Sequence, residues 1–197
     1  MSPISAYGTH FPILAGAMAE VASWHQSCPG DCRQANILEL GAGHFSTPML
    51  HYMATPLDWH LTTMETNVEW LPDFSGYASE NHAIKHVTRW ADEPLEGTDW
   101  DLVFVDCQPG EERAELVRRL RHAKLIVVHD TETDYATGAD YKLEPVFKEF
   151  SFRSDFRRYR PYTTVVSNFF TFFIEEEDRV WKPSPELEHL KSSANVF

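Results

Sequence analysis

The chain has 197 residues, a formal charge of −13 at neutral pH and a hydrophobic fraction of 43%. Its length suits one α/β domain with a sizeable core, and its acidity excludes bulk nucleic-acid binding, which needs a basic face against phosphates. The three cysteines, two of them spaced C-x3-C at Cys28 and Cys32, make no disulfide framework; with no long apolar run and no leader pattern, a cytoplasmic protein without membrane attachment is expected.

An apolar, alanine-rich stretch at residues 11–24 predicts a helix with Pro12 in its first turn, so residues 1–33 read as an N-terminal helical cap. Residues 34–40 are a nearly continuous apolar run, the pattern of a parallel strand covered on both faces. Gly41 and Gly43 follow, and residues 47–53 predict a helix with Ser46 or Thr47 as N-cap. Further strands are expected at residues 60–64, 83–88, 100–105 and 124–128. Helices are expected at 68–77, interrupted by Pro72, at 109–122 and at 141–150. Residues 151–159 and 163–173 read as a hairpin about Pro161, and residues 175–197 as a surface tail. The order predicts a single doubly wound, Rossmann-like α/β domain over residues 34–174. Its seven-stranded sheet is mostly parallel and finishes in an antiparallel hairpin.

In such a sheet ligands bind beyond the carboxyl ends of the strands, at the point where strand order reverses. Polar residues recur at those ends: Glu39 before the glycines, Glu65, the segment around Trp90, Asp106, then His129 and Asp130. A strand, a glycine turn and a helix present free N–H groups to a polar ligand. Glu65 can accept hydrogen bonds from both hydroxyls of a ribose. Glu39 can hold the turn or meet a ligand's amino group. Trp90 can stack on a base or belong to the core. Asp106 and Asp130 end adjacent predicted strands about 4.8 Å apart, and like charges that close raise a pKa or attract a cation such as Mg²⁺. Thr131 and Glu132 are secondary candidates there. His129 suits proton removal near neutral pH. Cys107 has no visible activating partner and reads as a poor nucleophile.

The run Glu39-Leu40-Gly41-Ala42-Gly43 resembles the first motif of class I S-adenosylmethionine (SAM) dependent methyltransferases. Glu65 is similar to the acid that ends their second strand, and residues 101–106 to their fourth-strand motif. The third glycine of a dinucleotide fingerprint is replaced here by Ser46. The resemblance implies a SAM site at Glu39, Gly41, Gly43, Ser46, Glu65, Trp90 and Asp106. Within that superfamily, Asp106 and Asp130 resemble the metal-holding acids of cation-dependent small-molecule O-methyltransferases, with Thr131 where Asn is expected. The implied activity is methyl transfer to a small polar acceptor at a hydroxyl, with His129, Asp130 and Asp106 catalytic and Mg²⁺ at Asp106 and Asp130. The arginines between 153 and 160 suggest an anionic acceptor, and a homodimer is left open. Two other readings stand beside it: a non-catalytic SAM- or nucleoside-binding protein, and a nucleotide-cofactor oxidoreductase.

Overall fold

The structure is a computed structural model that describes residues 8–27, 33–133 and 141–172. The Cys28–Cys32 pair and the expected tail at residues 175–197 lie outside these. Seven strands form one sheet: β1 (Asn36–Leu40), β2 (His60–Glu65), β3 (His82–His86), β4 (Leu102–Val105), β5 (Leu125–His129), β6 (Phe152–Phe156) and β7 (Thr163–Ser167). Their order across the sheet is β3-β2-β1-β4-β5-β7-β6. The first five pair in parallel, and β7 runs antiparallel between β5 and β6. The chain thus winds outward from β1 to β3, then returns to lay β4 on the other side of β1. In sheets of this kind that reversal, at the carboxyl ends of β1 and β4, is the place of the ligand crevice.

Strand periodicity divides the core into two layers. Leu38, Leu40, Val103, Val105, Ile126 and Val128 point to one face, packed against Trp90, Leu116, Leu120 and Phe147. Ile37, Phe104, Leu125 and Val127 point to the other and meet the helices α1 (Phe11–Ser27) and α2 (Ser46–Ala54). In α1 the buried residues Ile13, Leu14, Ala17, Met18 and Val21 recur at helical spacing, which makes one apolar stripe for the sheet. The N-terminal helix therefore lies across a sheet face and shares its core. No helix among the described residues is long and apolar enough to cross a membrane.

Local chemistry shortened several predicted helices. The 68–77 segment is a 3₁₀ turn, Leu71–Tyr77, where Pro72 and Gly76 discourage a full helix. The 109–122 segment opens as a 3₁₀ turn and becomes α3 only over Arg113–Arg119. The last helix, α4, is limited to Leu143–Phe147, and Lys142 enters it with φ 55°. The arginine-rich segments are paired with acids: Arg118 with Glu115 and Glu149, Arg119 with Glu96, and Arg153 with Glu144 and Asp155.

At the opposite, amino edge of the sheet, Asp101 is wholly buried. It accepts two bonds from the Arg33 guanidinium at 2.7 and 2.8 Å, one from Lys124 Nζ at 2.8 Å and one from the Asn36 amide at 2.8 Å. Burial raises its pKa, but these donors outweigh that and hold the carboxyl below its ordinary value. Its contribution is therefore present above the unfolded-state pKa and lost as pH falls. Asp101→Ala strands two cations and an amide, and should cost about 3–5 kcal/mol at pH 7. Urea denaturation checks this, and an unchanged midpoint would show that the clamp is not a stabilising element.

Candidate functional site

The crevice begins where β1 runs into Gly41, whose φ is +95°. A Cβ there would lie 2.5 Å from the Asp106 carbonyl oxygen, so only glycine lets the exits of β1 and β4 come this close. The Gly41 amide donates to the Met64 carbonyl at 2.8 Å, which ties the turn to β2 as well. Gly43 is less constrained, since an added Cβ would meet only the Ser46 hydroxyl, at 2.8 Å. Phe45, rather than Ser46 or Thr47, occupies the N-cap of α2, with no side-chain cap. The Thr47 hydroxyl is used elsewhere: it accepts from the Gly43 amide at 3.0 Å and donates to Glu39 at 2.8 Å.

Glu39 is buried beneath the turn and also accepts from Thr63 at 2.7 Å. It therefore braces the glycine turn. Burial drives its carboxyl up to about 7, against the hydrogen bonds of Ser46, Thr63 and Thr47 that favour ionisation. Glu65, at the end of β2, accepts the Ala42 amide at 2.9 Å and the Asn67 amide at 2.7 Å. Its carboxylate thus reaches across to the glycine turn on one wall of the crevice.

Trp90 does not line the crevice. Its ring is buried in the core, and Nε1 donates to the Gln108 carbonyl at 2.9 Å, so the base-stacking role expected of it is corrected to a packing role. The indole beside the turn belongs to Trp70, which donates to the Ala42 carbonyl at 2.8 Å and packs edge-on to His44. Its place five residues past Glu65 was the signal available in the sequence.

The opposite wall is built on Arg113, whose side chain is 1% exposed. Its Nη2 lies 3.0 Å from Asp106 Oδ1 and its Nη1 3.0 Å from Asp130 Oδ2. Nε donates to the Cys107 carbonyl and Nη1 to the His129 carbonyl, each at 2.9 Å. The two acids do converge, because β5 ends at His129 and Asp130 takes φ 55°. The cation between them is this guanidinium, and the Mg²⁺ expected at Asp106 and Asp130 does not fit there. Thr131 and Glu132 are engaged with the hairpin instead, Thr131 through Thr164 and Glu132 through the Tyr162 amide. Burial drives the Cys107 thiol up to about 12, which removes it as a nucleophile.

His129 Nδ1 lies 3.2 Å from Asp106 Oδ2, and its Nε2 lies 2.9 Å from the Thr9 hydroxyl. Thr9 spends its own proton on the Pro161 carbonyl at 2.8 Å, so it accepts from Nε2. Burial lowers the pKa of His129, but the hydrogen bond and charge of Asp106 win, and the ring is held above its ordinary value. With both nitrogens donating and 5% of the side chain exposed, His129 is no free base facing an acceptor. It is corrected to a positioning residue for Asp106. The more accessible groups are the carboxylates of Asp106 and Asp130, 26% and 22% exposed.

The segment ahead of α1 completes the site. Gly8 lies against the Phe45 ring, Thr9 against His129 and Pro161, and His10 against His129 with ring centroids 4.6 Å apart. His10 is lowered to about 4 by burial and by the charge of His129.

Similarity to known proteins lies in the fold. No protein-family model matches the chain, and no curated protein matches it in sequence. The delta-N METTL16 MTase domain is similar with a TM-score of 0.52 over 81% of this chain and 83% of that one, at 13% identity. A probable spermidine synthase from Corynebacterium glutamicum ATCC 13032 gives 0.55 over 83% of this chain and 66% of its own, at 16% identity. Cofactor-bound Rv0187 from MTB gives 0.54 over 86% and 94%, at 16% identity. The architecture is thus the Rossmann-like methyltransferase fold.

Glu39 yields a pH prediction. Its folded pKa of about 7 lies above its ordinary 4.5, so the native state binds the extra proton and stability falls as pH rises through that window. Glu39→Gln removes the titration while keeping the shape. Relative to this variant, the native chain should lose about 3 kcal/mol between pH 4.5 and 8. Paired urea melts across the range test it, and a pH-independent difference would contradict it.

Proposed function

We propose that the chain transfers a methyl group from SAM to a small polar acceptor, at a hydroxyl oxygen. The observation that carries this reading is the convergence of the glycine turn, Glu65 and Asp106 at the reversal point of the sheet. The fold held in common with the delta-N METTL16 MTase domain and with cofactor-bound Rv0187 supports it.

In this reading Gly41 and Gly43 let the ligand approach the backbone, and Ser46 stands at the start of α2 beside it. Glu65 takes the ribose hydroxyls, exchanging a backbone donor for them. Glu39 stays beneath the turn and keeps it in register with β2. Bound SAM supplies an activated methyl on a sulfonium, so the protein must chiefly align the acceptor. Asp106 and Asp130 offer the acceptor carboxylate oxygens that accept its hydrogen bond. Arg113 and His129 hold Asp106 below the usual carboxylate range, although burial opposes them. A carboxylate so held orients a hydroxyl better than it removes its proton, which favours acceptors whose hydroxyl is already acidic. The arginines of the hairpin contribute less to an anionic acceptor than their number suggests, because Arg153 and Arg157 both pair with Asp155.

Calorimetry with S-adenosylhomocysteine is the test. Micromolar binding is expected, weakened about 10-fold or more in Glu65→Ala, since bonds to a charged group contribute about 1.5–3 kcal/mol. Glu65→Gln, which keeps the side chain's size, should fall between the two. No heat with the native chain, or equal affinity in all three proteins, would overturn the reading. Binding without turnover on phenolic and other hydroxyl acceptors would favour a non-catalytic SAM-binding protein. Binding of a nicotinamide dinucleotide instead would favour the oxidoreductase.

A further inference from the structure

We infer that His10, Asp106 and His129 form a site for a divalent first-row transition ion. The three residues come from the segment ahead of α1, the end of β4 and the end of β5. The topology brings one donor atom from each within 4.8 Å of the others. Donors on a zinc-like ion sit about 2.0–2.2 Å from the metal, so their mutual spacing is about 3–4 Å and a modest closure suffices.

His10 is the observation that points to a ligand. It is 2% exposed, and neither ring nitrogen has a hydrogen-bond partner among the described residues. A neutral imidazole buried in that state leaves both a donor and an acceptor unsatisfied, which native structures avoid unless something else occupies the site. Its neighbours are already arranged as supports around a metal. Thr9 engages His129 Nε2 at 2.9 Å, leaving Nδ1 to face Asp106. Arg113 takes Asp106 Oδ1 at 3.0 Å, leaving Oδ2 to the histidines. Such outer partners fix the tautomer and direction of first-row metal ligands. Binding at Nδ1 releases the His129 proton to solvent, after which Asp106 and Asp130 face the one Arg113 guanidinium with a net negative charge that a divalent ion offsets.

Two imidazoles and one carboxylate select zinc, iron, cobalt or nickel rather than Mg²⁺, which takes oxygen ligands. Three protein ligands leave coordination positions open, and Asp106, 26% exposed, is the least buried of the three. The metal site shares Asp106 with the proposed SAM pocket, while Glu65 and the glycine turn, on the other wall, take no part in it.

The experiment is titration of the metal-free chain with Co²⁺, followed by its visible d–d absorption, with Zn²⁺ as competitor and Mg²⁺ as control. One equivalent of Co²⁺ should bind, be displaced by Zn²⁺ and ignore Mg²⁺. His10→Leu should weaken binding by more than ~100-fold, since even outer-shell changes cost about 10–100-fold. The same variant replaces an unsatisfied buried imidazole with an apolar group and should melt no lower than the metal-free native chain. Zn²⁺ should raise the melting temperature of the native chain and leave His10→Leu unmoved. Asp106→Asn is a second variant for the case that His10→Leu does not fold, and it should also lose the Co²⁺ spectrum. Equal Co²⁺ affinity in the native chain and the variants would overturn the site, as would displacement by Mg²⁺. Loss of S-adenosylhomocysteine binding with Co²⁺ binding intact would count against the proposed activity alone.

Discussion

Arg113 sits with 1% of its side chain exposed between the ends of β4 and β5, and the carboxyl edge of the sheet is arranged around that charge. A buried guanidinium is costly unless its donors are met, and here two carbonyls and two carboxylates meet them. The same contacts solve a second problem, because Asp106 and Asp130 would otherwise face each other as like charges. With Arg113 holding one oxygen of each acid, the remaining Asp106 oxygen is directed at His129. Geometry at this wall therefore follows from one cation placed just inside α3.

The other wall depends on steric contact rather than charge. Gly41 comes so near the backbone of Asp106 that any side chain would collide with it. The glycine turn and the β4 exit are thereby held at the mouth of one crevice, and Glu65 bridges from β2 to the turn. Glu39 and Thr47 fix the turn from beneath. Residues 8–10 pass across the carboxyl edge from Phe45 to Pro161, so the two walls meet under the start of α1. Packing, hydrogen bonding and chemistry thus converge on one edge, while the buried Asp101 cluster anchors the opposite edge.

Much of this arrangement was legible in the chain because it is local. Continuous apolar runs marked β1, β4 and β5, since strands buried on both faces carry no alternation. The glycine pair marked the turn, and Pro161 with its flanking β-rich segments marked the hairpin. Strand-end acids were found by position alone. What escaped had no local pattern. Arg113 lies in a charged stretch that reads as a solvated helix, and only the tertiary packing of α3 turns it inward. His10 reaches His129 across a separation that no spacing rule connects, and the same holds for Thr9. Trp90 was ambiguous between pocket and core because a strand-end indole fits either, and the packing against Val103 and Leu116 decided for the core. In the 68–77 segment Pro72 marks the interruption of a helix, but the chain pattern does not show that only a 3₁₀ turn, Leu71–Tyr77, remains.

In the proposed function an S-adenosyl ligand lies across the ends of β1 and β2 with its ribose at Glu65 and its sulfur toward Asp106. A crystal structure of the chain with S-adenosylhomocysteine measures this most directly. Both ribose hydroxyls are expected on the Glu65 carboxylate, the methionine part over the Gly41–Gly43 turn and the adenine toward Trp70. Ligand density at any other edge of the sheet, or a ribose held without Glu65, would contradict it.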